Sequence, residues 1–345
     1  MWDEEKKVEL HKRVNVMRPL GLVEFVSVPY VTENSKITII VTFSLEYDKK
    51  QIDAFFLNYE TNVLEISEVA EKINLYVVFV KTDSSKNLNL KNEIEENFKH
   101  IKTVISELEK KYSSLTTSSS RIIQMDILIS NYTLYLNENY RQLTATEFVS
   151  QKLTPDALMF VTPPGVEFQL EFLNRIRLNT IRANQIFAPI AFYQYNPNII
   201  YARKPYPDEV EINKNVGYYN IYSYDFISFY NSDYMNTRDH FIEYELGVQN
   251  KSKLPKTFNL ADHVLDLYEL FIKNVTIHTI RATDASLKYR WHLVDNCQVR
   301  HYLVNNSDSF ERCLLQLEKS LGNRAQLALH VIQLYKDGDS SKNKD

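Results

Sequence analysis

The sequence predicts an α/β fold built on a mostly parallel central sheet, and three features carry that expectation. Two β-branched runs, ITIIVTF at 37–43 and LYVVFV at 75–80, flank a stretch with helical apolar spacing. The alternation of strand-like and helix-like segments then continues as far as ALMFV at 157–161. The strand-like runs are continuously apolar rather than alternating, which is the pattern of strands covered on both faces.

Each element follows in order. The run 37–43 reads as the first buried strand. Ile52, Phe55, Phe56, Tyr59, Val63 and Leu64 recur at helical spacing behind it, and 75–80 returns as a second strand, completing one βαβ unit. Ile94, Phe98, Ile101, Val104, Ile105, Leu108 and Tyr112 lay an apolar stripe along a charged helix that stops in SSLTTSSS at 113–120. A third strand is expected at 122–128, a short helix at 145–152, and a fourth strand at 157–161 that runs into Thr162-Pro163-Pro164-Gly165. A helix is expected over 167–179, through Phe168, Leu170, Phe172, Leu173 and Ile176. From Phe187 tyrosine becomes dense, and GYYNIYSYDFISFYNSDY at 217–234 reads as extended segments. The C-terminal end is helical, with stripes at 260–271, 310–321 and, after Gly322, 325–335. Strands alternating with helices imply helices flanking the sheet on both sides.

Length and composition bound the rest. At 345 residues and 44% hydrophobic content the chain can bury a large core. A single domain is expected over 26–335, with a linker leading into it at 1–25 and a polar, disordered tail (KDGDSSKNKD) at 336–345. The net charge is −4 and the 40 Lys and Arg are spread along the chain, so nucleic acid is not an expected partner. No apolar run approaches the roughly 18–20 residues that span a bilayer, and the first thirty residues lack the order of a signal peptide, so the residues alone read as cytoplasmic. The six glycines, Gly21, Gly165, Gly217, Gly247, Gly322 and Gly338, stand too far apart to cradle phosphate, which excludes P-loop and dinucleotide-binding enzymes.

No His-Glu-x-x-His, Cys-x-x-Cys or Gly-x-Ser-x-Gly motif occurs. The eight histidines are scattered, and His292 and His301 read as solvated or core side chains rather than ligands. Cys297 and Cys313 are the only cysteines; they allow one intramolecular disulfide or two buried thiols, and the compartment decides between them. Four glycosylation sequons, at Asn131, Asn250, Asn274 and Asn305, are about as many as chance supplies in an asparagine-rich chain. A transferase that uses a nucleotide sugar commonly holds the cation for its leaving diphosphate on a short acidic motif where a strand ends. The corresponding place here follows 157–161, where Thr162, Pro163 and Pro164 offer no carboxylate and the prolines no backbone donor. Asp156, Glu167 and Glu171 read as charges flanking a strand and a helix.

Five stretches then point to a family: VPYVTENSKI at 28–37, EFLNRIRLNTIRANQIFAPIAF at 171–192, FYNSDYMNTR at 229–238, DLYELFIKNVTIHTIRA at 266–282 and LEKSLGNRAQLALHVIQ at 317–333. In this order they resemble the C-terminal, N-acetylgalactosaminyltransferase-like half of the chondroitin synthase and chondroitin polymerizing factor family. The resemblance implies a GT-A-type glycosyltransferase fold. It also implies the lumenal part of a type II Golgi membrane protein, whose membrane anchor lies in an N-terminal part absent from this chain. An oxidising lumen in turn implies a Cys297–Cys313 bridge.

Active members of that family carry Asp-x-Asp where the fourth strand ends, and the motif aligns with Thr162, Pro163 and Pro164. Their Trp-Gly-x-Glu-Asp segment, which supplies the base for the acceptor hydroxyl, aligns near Asp262, His263 and Val264. A third, His-containing segment that helps hold the metal aligns near 288–291, where no histidine stands. These departures imply a domain with little or no catalysis and no need of Mn²⁺ or UDP-GalNAc. Its implied role is to pair with a catalytic chondroitin synthase as a hetero-oligomer, with the chondroitin chain as a further candidate partner. The alternative is an active enzyme that adds GalNAc from UDP-GalNAc, with Mn²⁺, to a glucuronate-ended chain. The aromatic residues of 187–234 suit a partner or glycan surface, or equally ordinary core packing.

Overall fold

The computed structural model describes residues 2–3, 8–9, 35–44, 49–82, 88–112, 122–129, 137–201, 203–207, 209–245, 247, 259–274, 276–291, 314 and 317–332. The chain divides into two compact units, 1–30 and 31–345. In the first, β1 (Trp2–Asp3) and β2 (Val8–Glu9) pair antiparallel, with Trp2 opposite Glu9.

The second unit is built on a seven-stranded sheet of order β12-β8-β11-β6-β3-β4-β5. Its middle is parallel: β3 (Ile37–Phe43), β4 (Ile73–Thr82), β5 (Ile122–Ile129) and β6 (Leu158–Thr162) run the same way. β11 (Ile227–Tyr230) runs antiparallel to both β6 and β8 (Gln185–Phe187), and β12 (His278–Ile280) lies parallel to β8 at the edge. The mostly parallel α/β architecture read from the sequence is therefore the one observed. A second sheet, β10-β9-β13-β7, joins Gly217–Tyr219 (β10), Ile190–Gln194 (β9), Thr283–Tyr289 (β13) and Val166–Phe168 (β7).

Alternation along β3 sorts its side chains onto two cores. Ile37, Ile39, Val41 and Phe43 face α1 (Lys49–Tyr59), α3 (Leu88–Lys111) and α5 (Leu170–Asn179), whereas Ile40 joins the opposite core. That second core is closed by α4 (Glu138–Ser150), α7 (Asn231–His240) and α8 (Leu267–Ile272). Phe43 stacks on Phe56 and meets Phe55 edge-on, at centroid distances of 5.8 and 5.9 Å; full burial of each such ring is worth about 2–3 kcal/mol. Behind α1 a π-turn, Glu60–Leu64, leads to the short helix α2 (Ser67–Ala70). Lys111 and the Tyr112 hydroxyl reach Glu60 from the C-terminal end of α3, and the Lys111 hydrogen bond holds the Glu60 carboxyl below its ordinary range.

Several sequence expectations need correction. The helix placed at 145–152 begins at Glu138, because Asn137 caps it by accepting from the backbone N–H groups of Asn139 and Tyr140. The helix placed at 167–179 begins at Leu170, since β7 takes Val166–Phe168 to pair with β13. Within 217–234, read as extended segments, Gly217–Tyr219 and Ile227–Tyr230 are strands, but Asn231 opens α7. The stripe at 260–271 is broken into a 3-10 turn, Leu260–Asp262, and α8, with separate caps at Asn259 and Asp266. Residues 317–321 and 324–332 are helical on either side of Gly322. A short helix α6 (Pro197–Ile200) starts on the Asn196 cap. The tail 336–345 and nearly all of 1–25 lie outside the described residues.

Candidate functional site

In open parallel sheets, ligands bind beyond the carboxyl ends of the strands, where the strand order reverses. Here the chain moves outward from β3 through β4 to β5 and then returns to the other side of β3 as β6. The reversal falls between β3 and β6, which align Val41 with Thr162. The place where such a crevice is expected is flanked by Thr42 and Ser44 on one side and by Thr162, Pro163 and Pro164 on the other, all of them buried.

The first wall is α4. Its Glu138 accepts a hydrogen bond from the Thr42 hydroxyl at 2.6 Å and pairs with Arg141 at 2.6 Å. The Arg141 side chain is fully buried and that of Glu138 is 9% exposed. A carboxylate held on both oxygens in this way is already neutralised. One turn of α4 also links two further segments. The Tyr140 hydroxyl donates to Asp262 at 3.0 Å, and the Gln142 amide donates to the carbonyl of Asp225 at 3.1 Å. Burial, and then the Asp262 charge, push the Tyr140 hydroxyl above its ordinary pKa.

The second wall is the strand end itself. Thr162, Pro163, Pro164 and Gly165 are all buried. The Thr162 hydroxyl bonds the carbonyl of Pro163, the backbone N–H of Arg290 donates to the carbonyl of Gly165 at 3.1 Å, and Gly165 packs against the Tyr289 ring. Antiparallel pairing of Ile227 with Val161 brings the chain at Asp225 alongside this turn. Asp225 accepts from Ser223 at 2.8 Å and Tyr193 at 3.2 Å. Burial, followed by the Asp225 charge, raises the Tyr193 hydroxyl well above the ordinary tyrosine range.

The structure thus brings 162–165 and 288–291 together. Asp262 and His263 are exposed and Val264 is buried, and their segment is tied to α4 rather than to the strand end. Asp156 and Glu171 are exposed, and Glu167 pairs with Arg290. Asn274 is buried, 7% exposed, with its amide donating to Thr237 and its carbonyl oxygen accepting from Thr276. Cys297, Cys313, Asn131, Asn250, Asn305, His292 and His301 lie outside the described residues. Many of the aromatic side chains of 187–234 pack internally: Tyr193 lies against Tyr289 at 4.7 Å, Tyr195 stacks on Tyr218 at 5.4 Å, and Phe229 meets Phe271 at 5.0 Å. Sequence reasoning missed Glu138 and Arg141; the signal available for them was Asn137, a capping residue followed at once by an acid.

A divalent cation that bridges a diphosphate takes oxygen ligands, with one or two carboxylates supplied by the protein. The turn 162–165 does not fit one, since it provides a single hydroxyl, already engaged, and no carboxylate. Among the described residues, no three His, Cys, Asp or Glu side chains form a group able to hold a metal ion.

The fold puts the chain in the class of open-sheet α/β proteins, in which ligands commonly bind beyond the carboxyl ends of the strands. Residues 1–327 match the chondroitin N-acetylgalactosaminyltransferase family of glycosyltransferases, and the chain belongs to it. Human chondroitin sulfate synthase 2 is 25% identical over 332 residues, covering 94% of this chain and 37% of that protein. Human chondroitin sulfate glucuronyltransferase is 26% identical over 338 residues, covering 94% of this chain and 39% of that protein. The chain therefore spans less than two fifths of the length of these relatives. Among solved structures, the inositol-1-phosphate CTP transferase from T. maritima is similar with a TM-score of 0.33 at 10% identity, covering 84% of this chain and 99% of that one. Among the described residues, no helix is long and apolar enough to cross a membrane.

Proposed function

We propose that this chain is a glycosyltransferase-like domain with little or no catalysis of its own, which supports a catalytic chondroitin synthase as a hetero-oligomeric partner in chondroitin chain polymerisation in the Golgi lumen. The observation that carries this reading is the buried strand end Thr162-Pro163-Pro164-Gly165, standing where the resemblance places the family's acidic motif. Glu138, the buried carboxylate that meets the end of β3 at Thr42, is committed to Thr42 and Arg141. A cation stabilises a leaving diphosphate by several kcal/mol, and each 1.4 kcal/mol is about tenfold in rate, so its loss silences the transfer step.

One observation favours a second reading, an active N-acetylgalactosaminyltransferase that uses UDP-GalNAc. Asp262 stands exposed where the resemblance places the base for the acceptor hydroxyl, and the Tyr140 hydroxyl fixes its orientation. Calorimetry with UDP and Mn²⁺ separates the two. The proposed role requires no metal-dependent UDP binding, and micromolar, Mn²⁺-dependent binding sinks it. Co-expression with a synthase tests the supporting role, because polymer length then depends on this chain.

A further inference from the structure

Asn274, which opens one of the four sequons, stands where α8 ends and the chain turns toward β12. Its backbone N–H donates to the carbonyl of Phe271 at 3.0 Å, and its own carbonyl accepts from the N–H of Ile277 at 3.4 Å. The side-chain oxygen accepts from the N–H of Thr276 at 3.1 Å and from the Thr276 hydroxyl at 2.7 Å, the bond pattern by which an asparagine side chain builds a turn. The amide nitrogen serves a different element. Nδ2 donates to the Thr237 hydroxyl of α7 at 2.9 Å, in a contact buried from solvent.

Both ends of that contact are closed. Thr237 is 1% exposed and Asn274 7%. Phe271 and Ile277, three residues to either side of Asn274, are buried in the second core. Lys273 lies over the Phe241 ring, 5.1 Å from its centroid, at the turn that follows α7. Thr276, the hydroxyl residue of the sequon, is exposed. N-glycosylation replaces one hydrogen of Nδ2 with the first carbon of a sugar, a bulky group suited to an asparagine at the surface. Here the new bond would start inside a packed joint, and an interior packed at the density of an organic crystal has no room for a sugar ring. Attachment and the closure of α7 on α8 therefore exclude each other.

We infer that Asn274 stays unmodified in the folded chain although its sequon is intact: the asparagine is a clasp between two helices, and the fold withholds it from the glycosylation that an exposed sequon receives. The inference is independent of catalysis in this domain and of its place in chondroitin synthesis. It is tested on the whole chain, secreted from mammalian cells behind an added signal peptide, with Glu65→Asn as an internal reference. That change creates a sequon with Ile66 and Ser67, and all three positions are exposed. Digestion with peptide N-glycosidase in heavy-oxygen water, followed by peptide mass spectrometry, labels every asparagine that carried a glycan. The expected result is a label at position 65 in most secreted molecules and its loss at Asn274. A label at Asn274 in the secreted chain overturns the inference. The absence of label at both positions overturns it as well, because burial would then not be what separates them. Glycan at Asn274 found solely in chains retained as aggregates supports it.

Discussion

Arg141 closes on Glu138 within the first turn of α4, and the Thr42 hydroxyl completes the contact from the end of β3. A buried ion pair of this kind contributes little net stability over an apolar pair, but losing one partner leaves a charge stranded away from water. Glu138→Gln is expected to lower unfolding stability by about 3 kcal/mol, and Arg141→Met by a similar amount. The double variant should recover part of the loss, because neither charge is then left alone. Urea unfolding of the three variants gives the coupling, and a strictly additive double variant would show that the pair does not act as a unit.

The turn after β6 makes the opposite test. Thr162→Asp combined with Pro164→Asp restores acidic residues to the aligned positions, yet both sites are buried. The double variant is expected to lose about 3 kcal/mol or more through desolvation of unpaired carboxylates. Adding Mn²⁺ should leave its urea midpoint unmoved. A rise in midpoint with Mn²⁺ would mean that a cation site has been rebuilt there.

Two glycines meet their neighbours differently. A Cβ on Gly217 overlaps the carbonyl oxygen of Tyr193 and the Phe192 ring, so Gly217→Ala forces the β9–β10 backbones apart and should cost about 3 kcal/mol or more. At Gly165 the nearest contacts of the added carbon are all on the Tyr289 side chain, from 2.9 Å. Gly165→Ala should therefore cost about 1–2 kcal/mol, and in a Tyr289→Leu background, where that ring is gone, the same change should cost clearly less. Thermal unfolding distinguishes the two, since no side-chain change relieves a clash with backbone.

Asp233 supplies a pH dependence. Burial raises its carboxyl above the ordinary value, and hydrogen bonds from Ala183 and Ser232 only partly offset this. An aspartate with a raised folded-state pKa binds its proton more readily in the folded chain than in the unfolded one. Its contribution to stability therefore grows as pH falls through the window that opens above the unfolded value of about 3.9. Compared with Asp233→Asn, the wild-type chain should gain relative stability between pH 7 and pH 4. A constant difference in urea midpoints across that range would contradict the shift.

The parallel strands were legible because each is a short, continuous apolar run: 37–43 matches β3, and 75–80 lies inside β4. The start of α4 was not legible, because ten of its thirteen residues are buried, among them Arg141, Gln142, Thr144 and Thr146, so no wet face marks a period. β7 escaped notice because three residues are too few to show alternation, and only pairing with β13, more than a hundred residues later, makes them a strand. The missing carboxylates at 162–164 were visible in the sequence. The Thr42–Glu138 contact was not, as it joins side chains 96 residues apart.

The polar burial of α4 also bears on how the crevice responds to strain. A helix seated only on aliphatic side chains can roll a few degrees without losing any one contact. This one is pinned on several sides, through Glu138 to Thr42, Tyr140 to Asp262, Gln142 to Asp225, Thr144 to Asn259, and Glu147 to Tyr234 and Arg238. Rotation about its axis breaks several of these together, so the loop at Asp262 and the loop at Asp225 keep a fixed spacing across one helical turn.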